Sequence, residues 1–327
     1  MPDDLTPRGA ADRRDVSMQD HEVRDIAQKL NVTTDRVRDV DAEGLTAEHT
    51  HATKGASAQV RPRSRLFDID CKLSYTLAST TDFVFQIHAL QGLDQEVVTE
   101  SLRITPGSRY RVYEDPHIGH RFLRVHAAPG ALNLRYRARV RVARPRRNIH
   151  AEELPIAALP DDVLHNLMPT RYCESDLLGP AAIKLFGGLA PGYSRVAAIC
   201  DWIQRNLDYR TGSSDTTTTA CDVFLRRAGV CRDFAHLGVT FCRALNIPAR
   251  LAVGYAIFGT PPPDFHAMFE AFVGGRWELF DATRMSDPRD LVRIAVGRDA
   301  KDVAFATIFG TAQTRLLAPI VKRVELD

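Results

Sequence analysis

No apolar run in this 327-residue sequence approaches the roughly 18 residues that a helix needs to cross a bilayer. The basic and apolar parts of a secretory leader are missing too, because the chain opens with Met1-Pro2-Asp3-Asp4-Leu5. The expectation is a cytoplasmic protein without membrane contact. An excess of one charge is also absent. Lys and Arg number 43 against 41 Asp and Glu, a formal net charge of +2, so no overall electrostatic pull toward nucleic acid or an anionic surface is expected. Cysteine is sparse, with six scattered residues (Cys71, Cys173, Cys200, Cys221, Cys231, Cys242). None has the C-x-x-C spacing of a zinc knuckle or dithiol redox site, and a chain of this size needs no disulfide staples. Each is by default a small buried hydrophobe.

What is present is an ordinary globular composition, 44% apolar and 26% charged, with enough length for one large or two to three modest domains. Residues 1–45 form a small helical unit, with Val23, Ile26, Ala27 and Leu30 at helical spacing and Thr33 or Thr34 placed to cap a second helix. Helix–turn–helix is also a DNA-binding outline, but the eleven acidic residues here outnumber the seven basic ones, which disfavours nucleic acid. Residues 46–64 are rich in Thr, Ala, Ser and His without apolar period, as in a flexible linker. Residues 65–145 switch to a period of two. Strands are expected at Phe67–Tyr75, Phe83–Leu90, Arg109–Tyr113, Arg121–Val125 and Leu132–Val142, an all-β module of sandwich type. The last strand sets Arg135, Arg137, Arg139 and Arg141 on one face, read as a solvated surface rather than an anion site.

Residues 146–327 turn helical and then extended. Helices are expected from about Ser194 to Leu207, Thr219 to Ala228 and Cys231 to Leu245, the last as an amphipathic run. Short strands follow at Arg250–Phe258, His266–Val273, Trp277–Phe280 and Leu291–Val296. Helices packed on an antiparallel sheet define an α+β class. Gly274-Gly275 reads as a tight hairpin that brings His266 and Asp281 close.

Three residues in this region carry candidate chemistry. Cys231 follows Gly229-Val230 at a helix start, where free backbone N–H groups favour a thiolate and a developing oxyanion. His266 is a candidate general base, and Asp281 a carboxylate that fixes its tautomer. Against this stand plain structural roles: a helix cysteine in a core, a strand histidine, an aspartate capping the turn before Ala282-Thr283. His236 competes for the base role, but it lies about 140° round the helix from Cys231 and reads as structural. Asp233 suits a first-turn capping role. The Cys, His and Asp set has no spaced fourth ligand for a structural metal.

Several words of the sequence resemble the bacterial branch of the transglutaminase-like superfamily of papain-related cysteine enzymes. They are Gly229-Val230-Cys231-Arg232-Asp233-Phe234-Ala235, Ile247-Pro248-Ala249-Arg250 with Gly254-Tyr255, Asp264-Phe265-His266-Ala267 and Phe280-Asp281-Ala282-Thr283. Leu167–Cys173 is similar to that branch's helical lead-in, residues 65–142 to its N-terminal β region and Arg293–Ala304 to its tail. Residues 1–45 loosely resemble a short bacterial domain of unknown function, which implies no activity. The main resemblance implies a papain-like core preceded by a β-sandwich-like domain, with Cys231 as nucleophile, His266 as base and Asp281 as orienting residue. It further implies Tyr209 as an oxyanion-hole candidate and Met268 as a pocket residue where many relatives carry an aromatic. No cofactor, calcium or other metal is expected, and the partner is a peptide or protein substrate. Hydrolysis, transamidation and a non-catalytic peptide-binding module all stay open, with hydrolysis preferred.

Overall fold

The computed structural model describes residues 64–259 and 264–325. The helical unit expected at 1–45 and nearly all of the 46–64 linker lie outside the described residues. Six strands open the described part: β1 (Arg65–Leu77), β2 (Thr81–Phe85), β3 (Gln95–Thr105), β4 (Arg109–Glu114), β5 (Arg121–Ala127) and β6 (Gly130–Val142). Alternation decides their faces. On β1, Phe67, Ile69, Cys71, Leu73, Tyr75 and Leu77 are buried while the residues between them face out. β6 repeats the pattern from Leu132 to Val142. The two inner faces meet through aromatic contacts such as Tyr75–Phe83, 5.2 Å between ring centroids. The second expected strand stops at Phe85, since Gln86 turns its amide inward to the carbonyls of Asp302 and Ala304.

The remaining elements are α1 (Gly179–Phe186), α2 (Tyr193–Asn206), β7 (Asp208–Tyr209), α3 (Ala220–Arg226), β8 (Ala228–Gly229), α4 (Cys231–Ala244), β9 (Ala249–Tyr255), β10 (His266–Val273), β11 (Arg276–Phe280), β12 (Val292–Gly297), β13 (Ala306–Phe309) and β14 (Ala312–Val324). Strands β11-β10-β9-β12 form one antiparallel sheet. Helix α4 packs across β10 and β9, and Gly238 permits the approach: a Cβ there would sit 2.5 Å from the Phe269 ring. Gly254 does the same between strands, where a side chain would strike the Val292 carbonyl.

Two expectations change. The amphipathic run at Cys231 becomes a helix buried on all sides from Asp233 to Arg243. Its polar residues are inside because each finds partners. Thr240 donates to the His236 carbonyl at 2.7 Å, and Arg243 donates to the carbonyls of Ala249, Met168 and Arg298. Second, the region 146–327 is not one continuous catalytic unit. β13 pairs with β2, and β14 pairs with β1 in register from Leu66↔Val324 to Leu77↔Ala312. The sandwich sheets are therefore β14-β1-β6-β3 and β13-β2-β5-β4.

The sandwich and the β11-β10-β9-β12 sheet are tied by polar contacts. The Gln95 side chain donates to the carbonyls of Leu90 and Arg293 and accepts from the Arg293 N–H at 2.9 Å. The Tyr255 hydroxyl donates to the Ile87 carbonyl at 2.5 Å. Among the described residues no helix is long and apolar enough to cross a membrane. A chain ending at residue 304 would leave β1 and β2 without their outer partners, so it is expected to lose cooperative thermal unfolding and to bind a hydrophobic dye. A sharp melt close to that of the full chain would contradict the pairing.

Candidate active site

Cys231 is the first residue of α4, half-buried, and its helix start is built by its neighbours. The Asp233 carboxylate, fully buried, accepts the Val230 N–H at 2.8 Å and so caps the turn. Gly229 is required by that cap, because a Cβ would lie 2.7 Å from the Asp233 Cβ. Arg232 reaches away from the thiol and donates to the Asp215 carbonyl at 2.6 Å and to Ser214 Oγ at 3.1 Å, pinning the loop before α3. The cap and this pin were legible only in part: Asp233 was read as a capping residue, whereas Arg232 had no signal in the sequence.

His266 begins β10 and Asp281 follows β11. Gly274 and Gly275, both at positive φ, close the hairpin between these strands, which pairs Val273↔Arg276 through Phe269↔Phe280. The result is a 3.0 Å hydrogen bond between His266 Nε2 and Asp281 Oδ2, with both side chains nearly inaccessible. The Asp281 carboxylate is otherwise satisfied. Oδ1 accepts the Thr283 N–H and hydroxyl at 2.9 and 2.6 Å, and Oδ2 accepts the Ser286 N–H at 3.0 Å. Asp281 thus both caps the turn and holds the imidazole. Thr283 and Ser286 are the supporting residues that sequence reasoning missed, although Asp-x-Thr was a usable sign of such a turn.

With Nε2 engaged, His266 Nδ1 is buried without a hydrogen-bond partner among the described residues and is the nitrogen left for the thiol. Cys231 Sγ lies 4.0 Å from the neighbouring Phe265 carbonyl. Phe258 covers the imidazole, 5.2 Å between ring centroids. Burial opposes the charged imidazole, but the hydrogen bonds and charge of Asp281 and Cys231 outweigh it and raise the His266 pKa to about 10. Burial likewise works against the Asp281 carboxylate, yet His266, Thr283 and the Ser286 N–H hold its pKa below the usual range.

The short parallel pair β7–β8 matches Tyr209 with Gly229 and so sets the phenol beside the start of α4. The ring packs on Phe234, and the hydroxyl interacts with both the backbone N–H and the thiol of Cys231. Burial and the adjacent thiol push its pKa up, which keeps the phenol proton in place. Met268 departs from expectation. It is fully buried on the His266 face of β10, packed with Ala252, Ala256, Leu279 and Leu291. A side chain enclosed in that way fills the apolar layer of the sheet and presents no wall to a substrate. His236 stands apart from the thiol: it stacks on Tyr172 and accepts the Ala300 N–H at 3.1 Å, and burial lowers its pKa to about 3. Among the described residues no three His, Cys, Asp or Glu side chains converge as a metal site.

A helix-borne thiol beside a strand-borne imidazole that is anchored by a carboxylate on the hairpin partner is the arrangement of the papain-related thiol enzymes. Residues 181–282 match the transglutaminase-like superfamily, and residues 66–162 match the N-terminal domain of bacterial transglutaminase. A crystal structure from Cytophaga hutchinsonii, described as that of a “putative cysteine protease”, is 41% identical with a TM-score of 0.76, covering 82% of this chain and 93% of that one. An uncharacterized protein of Mycobacterium leprae is 30% identical over 159 residues, 46% of this chain. The match spans 57% of that relative, little more than half its length. An uncharacterized protein of Mycobacterium tuberculosis is 38% identical over 60 residues, 18% of this chain and 19% of that protein. The chain belongs to the transglutaminase-like superfamily.

The raised His266 pKa has a consequence for stability. A histidine of unfolded pKa near 6.5 and folded pKa of about 10 stabilises the fold fully below about pH 6.5, and the contribution is lost as pH rises through 10. Asp281, with its pKa lowered, contributes above the ordinary carboxylate range and loses its share on acidification. In Asp281→Asn the alkaline loss is expected to shrink, and the His266 ring resonances should titrate at a lower pH than in the wild type. Identical titration in both proteins would disprove the coupling.

Proposed function

We propose that the chain is a thiol enzyme that forms an acyl-enzyme on Cys231 from an amide, either a peptide bond or a Gln side chain. The single observation that carries this reading is the buried His266–Asp281 pair with its free nitrogen turned to a thiol at a capped helix start. In the proposed sequence His266, cationic near neutral pH, already holds the thiol proton on Nδ1, and the thiolate Sγ bonds to the carbonyl carbon. The oxyanion that forms is met by the Cys231 N–H and the protonated Tyr209 hydroxyl. Collapse breaks the C–N bond, and the imidazolium returns its proton to the departing amine or ammonia. Water activated by His266 then yields a carboxylic acid and the free thiol; an amine would instead yield a new amide. We favour water, a reading supported by the description carried by the Cytophaga hutchinsonii relative.

The surrounding chemistry favours selectivity for Cys231. Burial raises the thiol pKa of Cys71 and Cys173 to about 12 and moves Cys200 and Cys242 in the same direction. Burial and the Glu174 carboxylate raise that of Cys221 to about 12. Near neutral pH these five stay protonated and slow to alkylate.

A peptidyl or glutamine-mimic electrophile is expected to add once per chain by intact mass. The adduct should be absent in Cys231→Ala and slowed by roughly two to four orders of magnitude in His266→Ala. Labelling spread over several cysteines would defeat the proposal and leave a peptide-binding module. Once a turnover substrate is in hand, ammonia or acid release against incorporation of a labelled amine separates the two fates of the acyl-enzyme. Tyr209→Phe should lower kcat by about tenfold to a hundredfold with little change in KM, as expected for a donor used in the transition state. An unchanged kcat would remove Tyr209 from the oxyanion site.

A further inference from the structure

The two sandwich sheets treat their arginines differently. On the sheet containing β1 and β6, Arg135 pairs with Asp70, Arg139 with Asp68 and Arg141 with Glu96, at 2.6, 2.7 and 2.5 Å. That face is neutralised by its own cross-strand carboxylates. On the outer face of the other sheet, β4 and β5 place Arg111 opposite Arg124, and Arg109 opposite His126. Among the described residues none of these three arginines has a carboxylate partner; the nearby Asp82 is engaged by His126 at 2.8 Å. Like charges facing each other across strands destabilise a sheet unless something else meets them.

Two further observations fall on the same face. β4 is the last strand of its sheet, and among the described residues nothing pairs with its outer edge. All six of its residues are exposed. The arginines also line an open groove of about 600 Å³ together with Phe309, which is 60% exposed. An edge strand, an exposed aromatic side chain and unneutralised guanidinium groups at one groove meet the needs of an extended peptide that carries carboxylates.

We propose that this face docks an acidic, extended segment of a partner or substrate protein, laid along β4 with its carboxylates on Arg109, Arg111 and Arg124. Nucleic acid is the less suitable occupant, because Asp82 lines the groove and an open strand edge offers backbone pairing that phosphates cannot use. The proposal stands independently of the chemistry at Cys231, since it concerns binding alone.

The test is fluorescence anisotropy of the full chain with a labelled peptide of alternating glutamate and valine. Saturable binding that weakens with salt is expected, with none for the matching lysine–valine peptide. Arg109→Glu, Arg111→Glu and Arg124→Glu combined should weaken binding at least about tenfold, with an unchanged melting profile confirming that the variant folds. Lys184→Glu with Arg205→Glu, far along the chain on α1 and α2, should bind as the wild type does. Absence of binding, equal binding by the triple variant, or tighter binding of an oligothymidine strand that the same substitutions abolish would overturn the assignment.

Discussion

A charged carboxylate with almost no access to water is the constraint around which the catalytic sheet is arranged. Asp281 is tolerable in its position only because Thr283 and Ser286 supply three hydrogen bonds and His266 a fourth. Those bonds settle the imidazole's orientation: Nε2 is committed, so Nδ1 is the nitrogen that remains. They also demand a hairpin tight enough to bring the two strands into contact, which the paired positive-φ glycines provide. On the opposite side of the site, the Asp233 cap and the side-chain-free Gly229 bring the thiol to the helix start. The geometry of the site is thus produced by local turns and caps, each held by a few identifiable bonds.

Behind the site, buried polarity gives the fold its rigidity. Arg243, inside α4, takes up three carbonyls from separate segments. Glu270, two turns of the strand pattern beyond His266, is wholly enclosed between Arg250 and Arg293, and although burial would raise its pKa, the two guanidinium groups hold it down to about 2. Breaking such a group on one side leaves an unpaired charge indoors, which is costlier than losing an apolar contact. Movement of β10 relative to β9 and β12 would disturb these pairs, so the imidazole sits on a strand with little freedom to shift.

Much of this could be read from the sequence. The strand His266–Val273 was delimited to the residue by its apolar content and the glycine pair that follows. Cys231, His266 and Asp281 were recognisable because each stands at an element boundary with a distinctive word around it. What escaped has a physical reason. β3 carries mostly exposed polar residues, so its alternation is too faint to stand out. α4 looked amphipathic because His236, Thr240 and Arg243 are polar, and the tertiary partners that let them go inside are invisible locally. Met268 was given to the pocket by analogy with an aromatic position, while the unbranched side chain simply fills the apolar layer beneath. The pairing of β14 with β1 is long-range, and no local pattern announces it.

That long-range pairing makes the catalytic sheet an insertion within the sandwich in the topological sense. During synthesis β1 emerges early, yet its outer partner is translated only after the whole thiol-bearing region. For that interval the nascent chain exposes an alternating strand with an open edge, the kind of surface that recruits other chains. The sandwich therefore closes only after the thiol-bearing region between its strands has been made.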